Sequence, residues 1–138
     1  MGHYEVALEV LSRKRTLSEI SAALRRPGDA GSIEKGDVIA APLVKLLGKR
    51  HSTTAWKMGT GTRGSVRLNT QLKALLAKVP PGFTRNISRL RGRKKAILVL
   101  GVFSQRIMKT FRIPNEQLKS IAALGCDLEV SHYNTADS

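Results

Sequence analysis

The sequence predicts an α+β domain: a four- or five-stranded, mainly antiparallel sheet with about three helices, Leu17–Arg26, Asn69–Val79 and Asn115–Leu124, packed on one face. Three features lead there. Two segments, Tyr4–Val10 and Cys126–Tyr133, alternate apolar and polar residues with the period of a half-buried strand. One run, Ala96–Phe103, is apolar throughout and fits a strand covered on both faces. Between them lie three stretches whose apolar residues recur three and four apart, each bounded by helix start and stop signals.

In chain order, Tyr4, Val6, Leu8 and Val10 share one face of the first strand, with Glu5 and Glu9 on the other. Thr16-Leu17-Ser18-Glu19 fits a capping box, a hydroxyl at the cap and a carboxylate three residues on. Leu17, Ile20 and Leu24 continue at helical spacing until Pro27-Gly28. Pro27–Asp37 is turn-like, and Val38–Leu47 is apolar but broken by Pro42, fitting a short strand or a short helix. His51–Met58 reads as a strand carrying Trp56, followed by a Gly/Thr turn. Asn69 caps a helix with Leu72, Leu75, Leu76 and Val79 on one stripe, stopped by Pro80-Pro81-Gly82. Phe83–Lys95 is basic and reads as irregular or weakly helical. After the central strand, Ser104–Ile113 is a connection. Pro114 then opens a helix with Leu118, Ile121, Ala122 and Leu124 inward, and Gly125 supplies a left-handed stop. The last strand should have one wet face.

The 138 residues fit a single domain spanning 1–138. No apolar run approaches the roughly 20 residues that cross a bilayer, and the opening MGHYEVALEV lacks a secretory pattern, so a cytoplasmic protein without membrane partners is expected. One cysteine, Cys126, excludes an internal disulfide framework.

The charge is large and uneven. There are 24 Lys and Arg against 10 Asp and Glu, a net +14, and between Val38 and Asn115 seventeen bases occur with no acid. The densest part is Arg85, Arg89, Arg91, Arg93, Lys94 and Lys95, and Arg63 and Arg67 precede it. Such an excess favours polyanionic partners, an acidic protein or a nucleic acid. Aromatics for base stacking are scarce, and no nucleic-acid docking motif accompanies the charge.

Motifs of chemistry are weak. Gly59-Thr60-Gly61-Thr62-Arg63-Gly64 matches G-x-G-x-x-G, but its helix starts several residues late and no acid follows about 20 residues on, so a flexible turn is the better reading. His3 and His132 fall near the ends of the first and last strands and would approach one another if those strands paired, but no metal-ligand spacing is present. Cys126 reads as a small buried thiol rather than a nucleophile. No catalytic residue, metal site or cofactor is assigned. Trp56, the single tryptophan, either caps the core or, with Tyr4 or Tyr133, walls a groove.

Several pieces together resemble a bacterial family of small proteins known as domain of unknown function 4279. They are the opening strand, Leu17-Ser18-Glu19-Ile20-Ser21-Ala22-Ala23-Leu24, the Lys35-Gly36-Asp37 turn, Trp56 before a loop and Gln71-Leu72-Lys73-Ala74-Leu75-Leu76. The apolar strand from Ala96 and Gln117-Leu118-Lys119-Ser120-Ile121-Ala122-Ala123-Leu124-Gly125, with a strand ending in Tyr133, complete the set. The resemblance covers Tyr4 to Tyr133 and implies a compact α+β domain with no reaction or cofactor to transfer. Ser131-His132, where an acidic residue is common in that family, and the heavy basic stretch from Lys45 to Lys95 depart from its pattern. The expected function is a non-catalytic binding module whose basic surface takes an acidic protein partner, with sequence-nonspecific nucleic-acid binding as the alternative. The residues expected to carry it are Arg63, Arg67, Arg85, Arg89, Arg91, Arg93, Lys94 and Lys95.

Overall fold

Strand β1, His3–Ser12, lies inside a four-stranded sheet of order β2-β1-β3-β4. A computed structural model describes residues 3–37, 39, 50–60, 67–90, 92, 94–104 and 110–134. Along the chain β1 is followed by α1 (Leu17–Leu24), β2 (Thr54–Gly59), α2 (Leu68–Lys78), α3 (Phe83–Arg89), β3 (Lys94–Ser104), α4 (Asn115–Ala123) and β4 (Asp127–Asn134). β1 pairs antiparallel with both β2 and β3, whereas β3 and β4 run parallel. A parallel pair needs a crossover rather than a hairpin, and α4 lies in that connection. The fold is α+β, and its mainly antiparallel sheet is mixed at one edge.

The core sits on one face of the sheet. Val6, Leu8 and Val10 of β1 stand beside Leu100, Leu98 and Ala96 of β3, and Met58 and Trp56 of β2 continue the rows. Helices cover this layer with Ile20 and Leu24, Leu72 and Leu75, Phe83 and Ile87, and Ile121. The opposite face carries Glu5, Glu9, Lys57, Asp127 and Glu129, and on it the rings of Phe103 and Tyr133 stack at 4.8 Å. The pleat thus segregates apolar from charged residues with period two.

Several ends differ from the sequence reading for identifiable reasons. The Thr16 capping box forms as expected: the Thr16 hydroxyl accepts from the Glu19 amide at 3.1 Å, and the Glu19 carboxylate accepts from the Thr16 amide at 3.2 Å. α1 stops at Leu24 rather than Arg26 because Arg25 turns left-handed (φ 56°). α2 begins at Leu68, so Asn69 is inside the helix and not its cap; Leu68 is buried, and that burial sets the first turn. Phe83–Arg89 is a true helix, since Phe83 and Ile87 one turn apart both enter the core. A left-handed Gly125 (φ 69°) follows α4 as anticipated. The segment 38–47, assigned to a strand or a helix, lies outside the described residues except for residue 39.

The two sheet edges are treated differently. Along β2 the loop 29–37 takes up outward backbone groups. Ile33 and Ala55 exchange two hydrogen bonds of 2.8 Å, Asp29 donates its amide to the Lys57 carbonyl, the Ser32 hydroxyl accepts from the Lys57 amide, and the Asp29 carboxylate accepts from the Gly59 amide at 2.7 Å. Glu34 of the same loop accepts from the Leu17 amide at the start of α1, at 2.6 Å. Along β4 no such cover exists among the described residues.

Candidate cationic interaction site

The register of β1 against β3 places Ser12 opposite Lys94 and Leu11 opposite Lys95. The chain leaves β1 through Arg13-Lys14-Arg15, and this basic turn therefore meets the basic start of β3. Ser12, almost fully buried, anchors the turn by accepting from the amides of Lys14 (3.3 Å) and Arg15 (3.0 Å). The stem of Lys14 runs along Gly92, where φ is +91° and an added Cβ would lie 3.3 Å from the Lys14 Cδ. The left-handed backbone favours glycine there.

A hollow of about 480 Å³ opens at this end, lined by Leu11, Ser12, Arg13, Thr53, Lys94 and Lys95, with no acid in its wall. A second hollow of about 300 Å³ shares Lys94 and Lys95, is walled by Thr84 and Ser88 of α3, and reaches Asp127. Arg85 and Arg89, the residues after those two walls, are exposed.

The individual bases are not equivalent. Lys94 donates its ammonium to the carbonyls of Leu90 and Ser88 (3.3 Å for the latter), closing the C-terminus of α3. Lys95 pairs with Asp127 at 3.2 Å, but both side chains are more than half exposed, so the pair neutralises little. Arg15 binds Glu19 at 2.8 Å. That guanidinium, with the Thr16 amide, holds the Glu19 carboxyl below its ordinary value. Arg13, Lys14, Arg85 and Arg89 have no ion-pair partner among the described residues. Their charge is available to an incoming anion.

Of the residues singled out from sequence, Arg85, Arg89, Lys94 and Lys95 come together here. Arg63, Arg91 and Arg93 lie outside the described residues. Arg67 belongs elsewhere: one turn further along α2, Gln71 donates to the Tyr4 carbonyl at 2.7 Å. Tyr4 is eight strand positions from Ser12, about 26 Å at roughly 3.3 Å per residue. The groove of Trp56 and Tyr133 does not form. Trp56 is fully buried on the helix side, its indole N–H donating to the Arg26 carbonyl at 3.1 Å, while Tyr133 is half exposed on the opposite face. β3 separates the strands carrying His3 and His132, so those strands do not pair. The Gly-rich motif lies outside the described residues beyond Thr60. The Cys126 thiol is half-buried, donates to the Ile121 carbonyl at 3.5 Å, and is pushed above its ordinary value by that burial.

Sequence reasoning missed Arg13 and Lys14. Their signal was present, three consecutive bases directly after a strand pattern, but about 80 positions before the Arg85–Lys95 cluster they join. No described helix is long and apolar enough to cross a membrane. No curated protein and no solved structure matches the chain. The family model described as Domain of unknown function (DUF4279) matches residues 3–135, spanning β1 to the end of β4, and the chain belongs to that family.

Proposed function

We propose that the protein is a non-catalytic interaction module that takes an acidic protein partner at the cationic end of its sheet. The observation that carries this is the convergence of Arg13, Lys94 and Lys95 on one open hollow, with Lys14 next in the chain and Arg85 and Arg89 on the helix that walls the adjoining hollow. Partner carboxylates would gain charge-assisted hydrogen bonds there, and the surrounding field would raise the association rate. Asp127 and Glu19 lie among these bases and vary the sign of the surface, which suits a patterned protein face better than a uniform phosphate backbone. The two bulkiest aromatic side chains of this half of the molecule, Trp56 and Phe83, are buried and offer no stacking platform.

The test is a titration with poly-L-glutamate and with a single-stranded oligonucleotide across a salt series. It uses the native protein and an Arg13→Ala/Lys14→Ala/Arg89→Ala variant. Saturable poly-L-glutamate binding that weakens about tenfold or more in the variant, a loss of roughly 1.4 kcal/mol, is the expected result. Tighter oligonucleotide binding with a steep linear fall of log affinity against log salt would replace this reading with nucleic-acid binding. Equal binding by protein and variant would remove the site.

A further inference from the structure

We propose that the outer edge of β4 is a self-association surface, pairing antiparallel with β4 of a second copy to make one continuous eight-stranded sheet. The large apolar side chains most exposed among the described residues are Leu118 (43%), Leu128 (41%), Val130 (48%) and Tyr133 (50%). Three are on β4 and the fourth is on α4, the helix leading into it. The strand Asp127–Asn134 is eight residues long and contains no Lys or Pro, and its two charged residues, Asp127 and Glu129, share the face away from the helices. The opposite edge is closed group by group by the loop 29–37, whereas β4 has no hydrogen-bonded neighbour beyond β3 among the described residues.

The occupant follows from the strand's own pattern. A two-fold axis normal to the sheet keeps faces matched and pairs residues symmetrically about its centre. Centred on Val130, the axis sets Val130 against its own copy, Leu128 against the second copy's residue 132, Glu129 against residue 131 and Asp127 against residue 133. Every carboxylate then faces a Ser or a Tyr and none faces another carboxylate. Centring one residue earlier would set Glu129 directly against Glu129, a destabilising like-charge pair. On the helix side Val130 meets its own copy and each Leu128 faces a His132 with a Val130 diagonal to it, Leu118 flanking, so a patch that is open in one chain becomes covered in two. The hollow lined by Arg13, Lys94 and Lys95 holds no β4 residue, and the contact reaches only Asp127 at the rim of the second one, so dimerisation and acidic-partner binding fail or stand separately.

The experiment is sedimentation equilibrium on the full chain, native and Val130→Lys, with circular dichroism to verify folding. A concentration-dependent dimer in the native protein and a monomer of about 15 kDa in the variant are expected. A cross-linking arm does not depend on that variant's folding. Val130→Cys in a Cys126→Ser background should oxidise to a symmetric disulfide dimer, because directly opposite Cβ atoms lie about 4.5–5.5 Å apart. Glu129→Cys in the same background should not. A native protein monomeric at high concentration, a Val130→Lys variant that stays dimeric, or equal cross-linking from both cysteines would overturn the proposal.

Discussion

Trp56 shows how a single side chain joins two regions distant in sequence. Its ring fills the layer between β2 and the helices, and its indole N–H satisfies the Arg26 carbonyl just past the left-handed end of α1. Truncation removes a large buried volume and orphans that carbonyl together. Trp56→Ala should therefore cost about 3–5 kcal/mol, measured by urea denaturation. Glu19 is a residue-scale device of another kind. Its folded value is lowered, first by the Arg15 hydrogen bond and then by the Thr16 amide, so its contribution exists above the unfolded value and is lost as pH falls through the folded one. Glu19→Gln should lower the melting temperature at neutral pH, and the gap from the native protein should close on acidification below the ordinary carboxyl value of 4.5. A gap that persists in acid would mean the carboxylate charge contributes nothing. The raised Cys126 thiol predicts slow alkylation in the native protein at neutral pH and rapid alkylation after unfolding.

Helix α3 is the element on which fold and candidate site meet. One face, Phe83 and Ile87, is core; the other presents Arg85 and Arg89, and Lys94 ties off its C-terminal carbonyls. The ammonium also complements the negative end of the helix dipole. Lys94→Met retains most of the apolar stem and removes the charge. It should lower stability by about 0.5–1.5 kcal/mol and loosen the seven-residue helix, read by hydrogen exchange at Ile87–Leu90. If those amides remain as protected as in the native protein, the ammonium is not what closes the helix. The loop 29–37 is the corresponding device at the far edge: Asp29 and Glu34 are committed to backbone amides of β2 and α1. Acids used in this way hold the fold together and leave the bases across the molecule unneutralised.

For the molecule as a whole, a net charge of +14 on 138 residues sets the balance. Four ion pairs are present among the described residues, and all are at least partly exposed. Repulsion among the remaining cations opposes the compact state and is screened over about 8 Å at physiological ionic strength. Raising NaCl from a few millimolar to about 0.15 M should therefore raise the melting temperature. A falling melting temperature would show that the ion pairs outweigh the repulsion.

The sequence alone determined most of the elements and the apolar side of β1, α1 and α2, but not the helix Phe83–Arg89, and it turned Leu118 inward where the structure leaves it 43% exposed. Period-two alternation in β1, the capping box at Thr16, the Phe103-terminated apolar run and the glycine after α4 are local signals, written in neighbouring residues. It also made the charge excess plain. Tertiary structure decided what these parts meet. Asn69 had the chemistry of a cap, yet burial of Leu68 moved the helix start; Trp56 and Tyr133 share an aromatic character, yet the pleat put them on opposite faces. The strand order put β4 at an edge with no neighbour beyond β3 among the described residues, although its alternation is that of a strand with one buried side. Most consequentially, Arg13-Lys14 and Lys94-Lys95 are separated by about 80 residues and are joined because β1 and β3 pair antiparallel from Ser12 and Lys94. Hydrogen-bond register is a long-range choice between whole strands, fixed by which apolar rows bury best together, and no window of neighbouring residues contains it.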